Sequence, residues 1–162
     1  MIDTLRLRRA AILAAILPLF AAGCEDIFGS GDVGRERDEL EDARAQWARN
    51  GTDSYEMTVS RVCFCGPLAV RVRVQGGQVV SRVDPETGAP ITGSMYDDVD
   101  TVEDLFEFID ESLDEDPHEA DAEYDGSRGF PTHAYFDYSE NIADEEGGFI
   151  VSDFTLLPVA TD

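Results

Sequence analysis

The stretch SYEMTVSRVCFCGPLAVRVRVQGGQVVSRV, residues 54–83, decides the fold. It alternates with a period of two. Tyr55, Met57 and Val59 share one side of an extended chain, and Glu56, Thr58 and Ser60 share the other. After Gly66-Pro67 the pattern resumes, with Leu68, Val70, Val72 and Val74 opposite Arg71 and Arg73. Gly76-Gly77 then supplies a tight hairpin turn into QVVSRV. Three strands joined by short turns form an antiparallel meander. One of its faces is apolar and must be covered by something else in the chain.

The covering elements flank the meander. RERDELEDARAQWARNG, residues 35–51, places Leu40, Ala43 and Trp47 on one stripe of a charged helix that stops at Asn50-Gly51. Downstream, Thr101 with Asp104 three residues on predicts a capping box. Val102, Leu105, Phe106, Ile109 and Leu113 follow at helical spacing, and Pro117 marks the end. Three further strand-like runs come after it: EADAEYD, THAYFDYS and GFIVSDFTLLP. The order is therefore αβββαβββ. It predicts an α+β domain over residues 35–162: an antiparallel sheet of about six strands with two helices on one face.

The N-terminus sets the compartment. Arg6, Arg8 and Arg9 precede an apolar run, Ala10 to Gly23, that is shorter than the ~20 residues of a membrane-spanning helix. LFAAGC looks like the lipobox of bacterial lipoproteins. Residues 1–23 are then a signal peptide, Cys24 is the lipidated N-terminus, and residues 24–34 are a Gly-rich, acidic tether. The membrane is a partner through that anchor, the location is the bacterial cell envelope, and an envelope protein is the expected second partner. The chain has 35 acidic and 12 basic residues, for a net charge of −23, and every basic side chain is arginine. Such a surface disfavours nucleic acid.

Cys63 and Cys65 pose the main chemical question. Two residues apart on an extended strand, their Cα atoms lie about 6.7 Å apart. That is at the edge of disulfide reach, so closure needs a kink, for which Gly66-Pro67 offers a place. Arg61 interrupts the apolar face and suggests a bulge nearby. An exported chain favours the oxidised pair; a buried reduced pair and a copper or catalytic thiol site are the alternatives. Soft ligands for a metal would have to come from Met57, His118 and His133, whose spacing matches no closed site. DAEYDGSRGFPT opens like a calcium loop, but its twelfth position is Thr132 rather than Glu. Neither histidine has a neighbouring nucleophile motif, and Ser127 lacks a hydrolase elbow. No catalytic residue, metal ligand or cofactor is assigned. Arg61, Arg71, Arg73 and Arg82 fall in the first three strands and raise the prospect of an arginine-lined sheet face for an anion or an acidic partner.

Taken together, the lipobox, W…Y…CFC, TVEDLFEFI, YDGSRGFPTHAYFD and ADEEGGFIV resemble the bacterial lipoprotein family called domain of unknown function 6174. The resemblance implies Cys63, Cys65, Tyr124, Asp125, Gly129, Pro131 and Thr132 as matching positions and carries no assigned activity. A turn is the physical reading of Asp125, Gly129 and Pro131. The expected function is that of a non-enzymatic, lipid-anchored binding module. A calcium- or copper-binding protein is the alternative, and a hydrolase built on Tyr124–Thr132 is a weaker one.

Overall fold

The computed structural model describes residues 30–63, 68–92, 99–142 and 144–158. Cys24, Cys65 and the predicted signal peptide lie outside the described residues. Among the described residues, two helices and six strands follow the predicted order: α1 (Ser30–Asn50), β1 (Tyr55–Val62), β2 (Leu68–Gln75), β3 (Gln78–Val83), α2 (Val102–Asp114), β4 (Glu119–Tyr124), β5 (Pro131–Asp137) and β6 (Gly147–Leu156). α1 begins at Ser30, so its first turn reaches into the stretch read as a tether.

The strands form one open antiparallel sheet in the order β3-β2-β1-β6-β5-β4. Register follows the alternation of the sequence. Tyr55, Met57 and Val59 face Val74, Val72 and Val70 across the β1–β2 ladder, and all six are buried. Phe149 on β6 continues this apolar surface to Ala134 on β5, and Ala134 to Ala122 on β4. Both helices lie on this face. Leu40, Ala43 and Trp47 bring α1 down on it, and Val102, Leu105, Phe106, Ile109 and Leu113 do the same for α2. Burying each of the Val, Leu, Ile and Phe side chains stabilises by about 1.5–3 kcal/mol.

α2 is set by its first turn. The Thr101 side chain accepts from the Asp104 amide at 3.1 Å, and the Thr101 amide donates to the Asp104 carboxylate at 2.9 Å. This box satisfies two of the amides a helix start leaves over. The helices are tied together by Arg37, which reaches Asp110 and Asp114, and by Arg44, which reaches Asp110 and the Phe106 carbonyl.

The repeated αβββ order is not a structural duplication. Shifting the first meander across the sheet onto the second reverses every strand direction. The only rotation that does so also turns the sheet over, which would put the two helices on opposite faces. They share one face, so the two halves are not related by rotation.

One expectation about β1 is corrected. The β1–β2 ladder stays regular to Arg61↔Leu68, so no bulge accompanies that arginine. The irregularity lies instead opposite Glu56 and Thr58, where β6 carries an extra residue and Asp153 takes a positive φ of 54°. Arg61 keeps its place on the helix side because its guanidinium lies over the Phe108 ring, 5.7 Å from the centroid.

Candidate functional site

Tyr124, Asp125, Gly129, Pro131 and Thr132, singled out in the sequence, close the β4–β5 hairpin. The Asp125 carboxylate accepts from the Ser127 amide (3.1 Å), the Ser127 hydroxyl (2.7 Å) and the Arg128 amide (2.7 Å). Burial alone would raise this carboxyl. The bonds from the Ser127 hydroxyl and the Arg128 and Ser127 amides outweigh it and hold the group below the usual carboxylate range. Backbone bonds from Gly129 to the Asp125 carbonyl and from Asp125 to the Phe130 carbonyl complete the turn. Thr132 donates its hydroxyl to the Glu123 carbonyl, and Pro131 is buried behind it. Tyr124 stacks on Phe106 with ring centres 6.3 Å apart, and burial pushes its phenol well above the ordinary range.

Gly129 shows why the hairpin docks. Its φ is +86°, and a Cβ there would stand 2.5 Å from the Ala43 carbonyl oxygen and 2.8 Å from Gln46 Cβ. Only glycine lets the turn lie against the α1 backbone in this way. Gln46 then bonds the Gly126 carbonyl, while Phe130 meets Trp47 edge-on and stacks on Phe154 at 4.0 Å. Trp47 also meets Tyr55 and Phe154 edge-on. These residues therefore build the turn and dock it on α1, and the Ser127 hydroxyl donates to Asp125 within it.

The remaining predicted groups are dispersed. Cys63 follows the last residue of β1, half-buried, in a shallow depression with Val62, Tyr135 and Glu146; its proposed partner Cys65 lies outside the described residues. Met57 is fully buried beneath the helices, whereas His133, its Nδ1 3.7 Å from the Asp121 carboxylate, lies on the opposite face of the sheet. His118 is exposed. These soft ligands do not converge, and among the described residues no three His, Cys, Asp or Glu are grouped to hold a metal. The four arginines do not line one face either. Arg71 and Arg73 point away from the helices, to the Pro85 carbonyl and Glu56, while Arg82 on the helix side pairs with buried Asp100.

A cleft of about 490 Å³ opens where the end of α1, the β2–β3 turn and the start of α2 meet. Trp47, Thr52, Asp53, Tyr55, Thr101 and Glu103 line it. The Trp47 indole donates to Glu103 Oε1 at 2.9 Å, which fixes both side chains. The Tyr55 hydroxyl accepts from the Val102 amide at 2.8 Å and keeps its own proton to donate. Burial, then the nearby Glu103 and Asp104, push that phenol up, so it stays neutral. Two carboxylates beside aromatic rings form a setting suited to a cationic group. Sequence reading missed this cleft because its residues come from three separated elements. The aligned spacing of Trp47 and the Thr101 cap were its only traces.

Glu36 was missed as well. It precedes Leu40 by one turn on the apolar stripe of α1 and is fully buried. A carboxylate in line with Leu40, Ala43 and Trp47 was the available signal.

Comparison with curated proteins and with solved structures finds no match. The model of the family of unknown function DUF6174 matches residues 39–156, from the second half of α1 to the end of β6. That span covers every strand, α2, the Cys63–Cys65 segment and the docked hairpin. The chain belongs to the DUF6174 family.

Proposed function

We propose that this chain is a non-enzymatic binding module of the bacterial cell envelope, anchored by lipid at Cys24, that takes a cationic group of an envelope partner into the cleft between α1 and α2. The cleft itself carries the reading. Asp53 and Glu103 supply negative charge, Trp47 and Tyr55 supply aromatic surface, and the Tyr55 proton is left to donate. The acidic balance of the whole chain favours the same partner at longer range. A Cys63–Cys65 disulfide belongs to this reading as a staple at the end of β1, consistent with an oxidising compartment.

Trp47 is the sole tryptophan, so its fluorescence reports directly on the cleft. Titrating the purified protein with an oligo-arginine peptide is expected to give a saturable change that Glu103→Gln and Asp53→Asn both weaken. A response equal for all three proteins removes the cleft from the reading. Labelled palmitate is expected to enter the wild type and not Cys24→Ser. Label in neither removes the anchor and leaves the cleft to stand or fall separately.

A further inference from the structure

Glu36 is an unusual group to find where it is. It lies on α1 against β4, an edge strand, with no solvent exposure and with neither carboxylate oxygen in a well-aligned hydrogen bond. The Tyr124 hydroxyl on β4 is likewise buried without a partner. Arg35 touches Glu36 Oε1 at 2.7 Å but is itself half exposed, and shares its other end with Glu39. Buried carboxylates are normally paired and hydrogen-bonded, because leaving water uncompensated is costly for an ion.

We propose that α1 around Glu36, residues 33–40, is a pH-dependent latch on the edge strand β4, closed while the Glu36 carboxyl is protonated and loosened as it ionises. The surroundings favour the neutral form. Burial acts most strongly, Glu39 on α1 and Asp121 on β4 add negative charge, and Arg35 and the Ala122 amide oppose them only in part. Arg37, one residue on, is turned away to Asp110 and Asp114 on α2. The carboxyl is thereby raised above its ordinary value of 4.5.

The direction of the effect follows. Below 4.5 the carboxyl is protonated in the open and the closed forms, and the latch holds fully. Above it the open form gives up its proton first, so closure weakens as pH rises, by up to about tenfold for each pH unit. Once the closed form has ionised too, the dependence levels off.

Hydrogen exchange of the full-length protein between pH 5 and 8, normalised for intrinsic chemistry, tests this. Amides of residues 33–40 are expected to lose protection several-fold as pH rises, while those of β1 and β5 hold theirs. Glu36→Gln, isosteric and neutral, is expected to flatten the response. A flat wild type, a slope retained in Glu36→Gln, or an equal slope in β1 and β5 would each overturn the latch. Tyr124→Phe supplies a second route if Glu36→Gln does not fold, because it removes the unpartnered hydroxyl and leaves the carboxyl in place. Its expected slope is that of the wild type, and a flat response would overturn the assignment of the switch to Glu36.

Discussion

The β2–β3 and β4–β5 hairpins turn on the same kind of residue for different reasons. At Gly76 and Gly77, with φ values of +57° and +72°, a Cβ would meet nothing within 4 Å. Their positive φ is required by the turn and presses on no neighbour, while their amides bond the Ser54 hydroxyl and the Asp53 carbonyl. Gly129 combines a positive φ with direct contact to the α1 backbone, and the hairpin around it carries Phe130 into the ring cluster of Trp47, Tyr55 and Phe154. One hairpin is an exposed turn at the rim of the cleft, and the other is a wedge that fixes a helix on a sheet. Tyr124, Asp125, Gly129, Pro131 and Thr132 gather in the second.

The strongest way to break that comparison is to remove what the wedge rests on. Trp47→Ala is expected to cost about 3–5 kcal/mol in chemical denaturation, as deletion of a buried aromatic does. Gly129→Ala comes next, at about 3 kcal/mol, from a left-handed residue at 1–2 kcal/mol plus overpacking against Ala43. Asp125→Ala loses the turn bonds and is expected to cost about 1–2 kcal/mol. Because the Asp125 carboxyl is held below its ordinary 3.8, its contribution is present above that pH and is lost as pH falls through the lowered value. A melting series from pH 5 down to pH 2 is expected to show the variant's deficit shrinking. Gly76→Ala closes the series at roughly 1 kcal/mol, the cost of the backbone conformation alone. Equal losses for Gly76→Ala and Gly129→Ala would erase the distinction.

What was legible in the sequence was local. Period-two alternation gave β1 and β2, the Thr101–Asp104 spacing gave the start of α2, and the element order gave the α+β class. Asp125, Gly129 and Pro131 were readable as a turn because their backbone requirements are intrinsic to the residue types. The rest depends on what meets across the fold. That Gly129 presses on Ala43, that Arg82 and Arg73 point to opposite faces, and that Trp47 bonds Glu103 are consequences of sheet order. Spacing along the chain does not encode them. Arg61 misled for a related reason: its charge argued for a bulge, while a ring from α2 made a regular position acceptable.

The sheet order also governs when the protein can exist. Its two central strands, β1 and β6, are the first and the last of the described strands, with Tyr55 paired to Leu156. A polypeptide delivered from its N-terminus therefore holds an apolar strand edge open until the final strand arrives. Such long-range pairing places folding toward the slow end for domains of this size. C-terminal truncation before Gly147 would leave two half-sheets with no centre to join them.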